Sequence, residues 1–126
     1  MRGIPALLIA ATLGWTASFL SNMPAGAQSP PPAYLVAEVN VTDATGFADY
    51  AAKYAPLLAN YGGHIVVRGA AQALEGAPPS GGIVVITFPS MEKARDFWNS
   101  SEYQALIPIR QKASTARIYL VEGLSQ

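Results

Sequence analysis

The sequence predicts an α+β domain: one antiparallel sheet with helices on a single face, built in the order β-α-β-β-α-β. Three observations predict it. Four short runs, at residues 34–41, 64–69, 83–88 and 117–122, are rich in β-branched residues. Two longer stretches, 42–61 and 90–113, repeat their apolar residues at helical spacing. Glycine and proline mark the connections between them.

The first run alternates. Leu35, Ala37, Val39 and Val41 form a wholly apolar face, and Tyr34, Val36, Glu38 and Asn40 form the other. Thr42-Asp43 is a helix-start signal. Phe47, Tyr50, Ala51, Tyr54, Leu58 and Tyr61 then fall on one helical face. Pro56 lies inside this helix and predicts a kink rather than a stop. Gly62-Gly63 ends it by supplying a left-handed position. The second strand, 64–69, has a potential continuation through Ala73-Leu74, and residues 76–82 are a loop by composition. Residues 83–88 are continuously apolar, as expected of a central strand.

Ser90 caps the next helix, with Glu92 near the positive end of its dipole. A break is expected at Asn99-Ser100-Ser101, followed by a second helix kinked or ended near Pro108. The last strand is 117–122. This is the split βαβ order of ferredoxin-like folds, in which helices cover one sheet face. Leu35, Val39, Ile65, Val67, Val84, Ile86, Phe88, Ile118 and Leu120 fit the covered face. The opposite face then carries Val36, Val66, Ile83, Val85, Tyr119 and Val121, interspersed with Glu38, His64, Arg68 and Thr87. So apolar a face predicts a homodimer in which two sheets meet.

The chain of 126 residues has room for one domain, and its 51% hydrophobic content is high. Its mean hydropathy is +0.23. Part of the excess lies in residues 1–27, which read as a signal peptide: Met1-Arg2, a mostly apolar run from Ile4 to Leu20, and a cleavage site at Ala25-Gly26-Ala27. A retained anchor would need about 20 uninterrupted apolar residues, and Pro5, Gly14, Thr16 and Ser18 interrupt the run. Residues 28–33 are a proline-rich tether, and residues 34–126 form the folded domain. The expected location is periplasmic or secreted, with no membrane attachment after cleavage.

The chain has no cysteine, which excludes disulfides, thiol chemistry and thiolate metal sites. Eight basic and 8 acidic residues balance to +0, with no basic stripe, so nucleic acid is not an expected partner. His64 is the single histidine, too little for a metal centre, and no cofactor is expected. There is no nucleophile motif and no phosphate-binding glycine loop.

Two groups of residues could carry chemistry. Glu38, Arg68 and His64 share the second sheet face. Either Glu38 and Arg68 pair within the dimer's sheet-on-sheet core, or Glu38 is a base and His64 an acid beside a substrate lodged there. The other group centres on Arg110, which continues the helical stripe of Tyr103, Leu106 and Ile107. A guanidinium is not left bare in an apolar interior. Arg110 therefore reaches water, pairs with Glu102 or Glu122, or clamps a carboxylate or enolate at the mouth of a pocket between helices and sheet. In the last case Tyr50, Tyr54, Trp98 and Tyr103 line the pocket. The same aromatics also read as ordinary core.

Tyr61-Gly62-Gly63, Arg68-Gly69, Leu74-Glu75-Gly76, Phe88-Pro89-Ser90, Ser101-Glu102-Tyr103-Gln104, Arg110 and Val121-Glu122-Gly123 stand in an order and spacing with a known pattern. In these residues the chain resembles the domain of unknown function 1330 family, within the dimeric α/β-barrel group of ferredoxin-like folds. The resemblance implies a homodimer whose two sheets form a barrel. It supplies no established reaction, although the wider group includes cofactor-free monooxygenases, lactone isomerases and haem-handling enzymes. His64 stands where the family commonly has arginine or lysine, and Ser101 where proline is common. The leading expectation is an exported homodimer that binds, with or without transforming it, a small partly apolar anion. Arg110 would hold the anion, and Glu38, His64 or a tyrosine would move a proton. The competing expectation is a non-catalytic binding or assembly module whose polar residues are structural.

Overall fold

A computed structural model of the chain describes residues 29–125. The signal peptide read over residues 1–27 lies outside the described residues. In chain order the elements are β1 (Ala33–Val41), α1 (Ala44–Asn60), β2 (His64–Ala70), β3 (Gly82–Phe88), α2 (Met91–Asn99), α3 (Ser101–Ala113) and β4 (Ser114–Glu122). The strands form one antiparallel sheet in the order β2-β3-β1-β4. The expected α+β, ferredoxin-like arrangement is the one observed, with β3 and β1 central.

Local chemistry sets the element boundaries. Asp43 caps α1 by accepting a hydrogen bond from the Gly46 amide, 3.2 Å. The helix runs through Pro56 and ends before Gly62, which takes φ +71°. Ser90 and Ser100 cap α2 and α3 by accepting from the amides of Lys93 and Tyr103, at 3.1 and 3.2 Å. The expected break falls at Ser100. Pro108 does not end α3, which continues through it to Ala113. There the amides of Thr42 and Asp43 donate to the Ala113 carbonyl and tie the end of α3 to the start of α1.

Two strand limits differ from expectation. β2 stops at Ala70 without continuing to Leu74, which is 90% exposed on the following loop. β4 begins at Ser114, three residues earlier than its apolar run, because β1 pairs along its whole length from Ala33–Glu122 to Val41–Ser114. Backbone hydrogen bonding, rather than side-chain hydropathy, extends it.

The core lies between the sheet and the helices. Leu35, Ala37, Val39, Ile86 and Phe88 meet Tyr50, Tyr54, Leu58, Ala94, Phe97 and Tyr103. Phe88 and Phe97, each 1% exposed, anchor one end with ring centroids 5.5 Å apart.

The largest departure is in β2. His64 pairs with Thr87 and Ile65 with Ile86, but Val67 then pairs with Val85 and Arg68 with Val84. Val66 is an extra residue, a β-bulge. One inserted residue exchanges the two faces for everything after it. Val67, expected under the helices, is on the open face and 44% exposed. Arg68, expected on the open face, turns to the side covered by the helices. The open face keeps Val36, Val85, Tyr119 and Val121, and adds Arg117.

Candidate functional site

The bulge and the helix period bring two arginines to the same side of the sheet. On α3, Tyr103, Arg110 and Ala113 are buried and Leu106 and Ile107 half-buried, so the stripe read from sequence does face the core. Arg110 is 7% exposed. Its Nε is buried with no hydrogen-bond partner among the described residues. Neither Glu102 nor Glu122 pairs with it; the ion pairs among the described residues are Lys53–Asp49 and Arg117–Glu38.

Arg110 lines an inner cavity of about 30 Å³, together with Tyr50, Tyr54, Tyr103 and apolar side chains including Leu35, Ala37 and Ile86. That volume admits a water or two, or the oxygens of a carboxylate, but not the body of a ligand. Beside it lies an open cleft of about 570 Å³, bounded by Val41, Ala51, Arg68, Gly81, Gly82 and Ile83 among others. Val39, Phe47, Tyr54 and Val84 belong to the walls of both. Cleft and cavity therefore adjoin, with Arg68 at the outer wall and Arg110 at the inner end. Neither lining contains an aspartate or a glutamate.

The tyrosines bridge α1 and α3. Tyr50 and Tyr103 share a buried hydroxyl–hydroxyl hydrogen bond of 2.7 Å. Tyr54 packs on Tyr50 with ring centroids 4.8 Å apart. Burial pushes the Tyr50 phenol far above its ordinary pKa, and Tyr103 adds to the shift while Arg110 opposes it. Burial also raises Tyr54, against the opposing effect of Arg68. Both phenols are neutral at physiological pH, so they serve as hydrogen-bond donors or proton donors and not as bases.

The other site candidates lie elsewhere. Trp98 lines neither space; it packs on the Tyr103 ring with centroids 5.2 Å apart. Glu38 and His64 are on the open face, across the sheet from Arg110. Glu38 pairs there with Arg117, 2.9 Å, and not with Arg68. The two residues face each other in the β1–β4 register, and Arg68 is no longer on that face to compete. A molecule held at Arg110 is therefore out of reach of both Glu38 and His64. Phe47, Val39 and Val84 complete the cleft and were not singled out from sequence as ligand contacts. As ordinary members of the apolar faces, they carried no signal to set them apart from core.

An antiparallel ferredoxin-like sheet whose helices enclose an arginine-bearing cleft defines a class of small α+β domains. Residues 32–124 match the family described as a domain of unknown function, DUF1330, and the chain belongs to that family. No curated protein sequence matches it. Among solved structures, it is similar to a protein of unknown function from Rhodopseudomonas palustris, at 18% identity and a TM-score of 0.63, over 91% of this chain and 95% of that one. It is also similar to SnoaB, a cofactor-independent oxygenase from Streptomyces nogalater, at 12% identity and a TM-score of 0.55, over 76% and 96% of the two chains. A conserved protein from Bacteroides thetaiotaomicron, described as a possible oxidoreductase, matches at 10% identity and a TM-score of 0.50, over 75% and 99%. These likenesses establish the fold.

Proposed function

We propose that this chain is an exported, homodimeric domain that binds a small, partly apolar anion in the cleft between α1 and the sheet. The observation that carries the reading is the buried Arg110 guanidinium, which has no carboxylate partner among the described residues and adjoins a cavity. An uncompensated buried cation is costly by several kcal/mol, and an anionic ligand group supplies the missing charge. The hydrogen-bonded hydroxyls of Tyr50 and Tyr103 belong to the same cavity, and one of them has a proton free to donate. The apolar walls of the cleft suit a hydrocarbon or aromatic body.

The same geometry favours binding over acid–base catalysis. Neither lining holds a carboxylate or a histidine, so no side chain there is a base at neutral pH. SnoaB is an oxygenase without a cofactor, and an arginine beside phenol donors is a suitable counter-ion for an enolate. In this chain such chemistry would need a substrate acidic enough to ionise without a protein base.

Export rests on the residue 1–27 pattern, and dimerisation on the open face. Val66, Val67, Tyr119 and Val121 are 44–54% exposed there, a contiguous apolar patch of the kind that often marks an interaction surface. Native mass spectrometry of the purified chain tests the ligand. The expected spectrum is a dimer carrying a small anion, with the adduct absent from Arg110→Gln. Equal adducts in both proteins, or none in either, count against the reading.

A further inference from the structure

We infer that the ligand is a dianion with an apolar middle, one anionic group at Arg110 and the second at Arg68. The inference rests on the proposed binding site and names its substrate class. Arg110 alone accounts for one charge. Arg68 sits on the same side of the sheet, in the wall of a cleft that shares Val39, Phe47, Tyr54 and Val84 with the Arg110 cavity, and has no ion-pair partner among the described residues.

Two features make Arg68 more than a solvated rim residue. The first is the bulge. In a regular β2, Arg68 would point to the open face; the extra residue Val66 interrupts the ladder and turns the guanidinium into the cleft. Bulges that re-aim a side chain are a recurring device beside binding sites. The second is the charge pattern of the walls. Two arginines share the combined lining with no carboxylate, and the remaining wall residues are apolar apart from the tyrosines and Asn40. Arg68 is exposed, so water answers its charge until a second anionic group takes that water's place. Tyr54, which belongs to both walls, gives each end a phenol beside its arginine: Tyr50 near Arg110 and Tyr54 near Arg68. The other residues common to both walls are Val39, Phe47 and Val84, whose side chains offer nothing to a polar middle.

The chemistry recognised is thus an α,ω-dicarboxylate or an equivalent molecule with an anion at each end. The test is isothermal titration of the full chain, at fixed ionic strength, with adipate, suberate and sebacate against hexanoate, octanoate and decanoate. At the best length the dicarboxylate is expected to bind roughly ten- to a hundred-fold more tightly than its matched monocarboxylate, the range of one added charge-assisted contact. Arg68→Gln should erase that advantage by costing the dicarboxylates far more than the monocarboxylates, whereas Arg110→Gln should weaken both series. Circular dichroism of each variant reports whether the fold is kept. Monocarboxylates that bind through Arg110 as tightly as every dicarboxylate, or a dicarboxylate advantage that survives Arg68→Gln, overturn the dianion and leave the Arg110 site standing. Carboxylates that bind indifferently to Arg110→Gln, or that do not bind at all, overturn both.

Discussion

The hydroxyls of Tyr50 and Tyr103 meet at 2.7 Å inside the molecule, although the two residues are 53 positions apart. This hydrogen bond joins α1 to α3 and fixes both hydroxyls in the wall of the Arg110 cavity. Removing one hydroxyl leaves its partner buried and unsatisfied, which destabilises by about 1–3 kcal/mol, whereas removing both leaves two apolar rings in contact. Tyr50→Phe and Tyr103→Phe should each lower the urea midpoint, and the double variant should lose less than the sum of the two. Additive losses would mean that the hydroxyls do not act as a pair.

Arg110 should trade stability for binding. Methionine has a similar length and no charge, so Arg110→Met removes an uncompensated cation from the interior. The expected result is a chain as stable as the parent, or more stable by about 1 kcal/mol, that no longer binds the anion. Urea unfolding and ligand titration on the same sample read both properties. A large loss of stability would identify Arg110 as a structural residue.

The two arginines also show what a sequence of this kind reveals. Arg110 was legible because a helix has a fixed period: once Tyr103 is placed in the core, a residue two turns on is placed with it. Arg68 was misplaced because a strand's period holds only while the ladder is regular. Ile65, Val66 and Val67 form an apolar triplet that breaks strict alternation, and that triplet is the one local sign of the bulge. It reads equally well as a doubly buried strand. The partner of Glu38 was hidden for a related reason, since which β4 residue faces it depends on a register that hydropathy leaves open. The helix limits were readable because Asp43, Gly62 and Ser90 act locally. The cleft was not, because it arises where α1, β1, β2 and β3 come together from distant parts of the chain.

Stability should fall in alkali more steeply than exposed tyrosines alone would produce. The ordinary tyrosine value is 10.0, and burial holds Tyr50 well above it. Below that pH the phenol is protonated in both folded and unfolded chains and contributes no slope. Above it the unfolded chain releases the proton while the folded chain keeps it, so stability declines by up to about 1.4 kcal/mol per pH unit for this group. Tyr54 contributes in the same direction. Urea midpoints measured from about pH 9 to 11.5 should show the decline beginning near pH 10, with a shallower slope in Tyr50→Phe. Identical slopes would contradict the burial of that phenol.

Gly82 offers a way to close the cleft without touching an arginine. It faces Val39 in the β1–β3 register, on the helix-covered side, and lines the cleft. A Cβ there would come no closer than 3.5 Å to another group, an ordinary contact. Gly82→Leu should fold at least as well as the parent, because leucine replaces the most flexible residue within a strand. Its side chain would occupy the cleft and weaken ligand binding by about tenfold or more. Undiminished binding in a folded variant would place the ligand elsewhere.

The open face gives the last prediction. Val85 pairs with Val36 on one side and Val67 on the other, at the middle of the sheet. In a lone chain a lysine at this half-exposed position meets water and is tolerated. Between two sheets it is a buried, unpaired charge, and such a charge costs several kcal/mol of association. The parent should therefore sediment as a dimer at micromolar concentration, and Val85→Lys as a folded monomer. The Glu38–Arg117 pair stands on the same face, with Arg117 far more exposed than Glu38. Burial between two sheets would strengthen that pair by removing solvent screening, so the parent dimer should persist at high salt while Val85→Lys remains monomeric throughout. A parent that sediments as a monomer would remove the dimer, and would leave the Arg110 cleft, which lies within one chain, to be judged on its own tests.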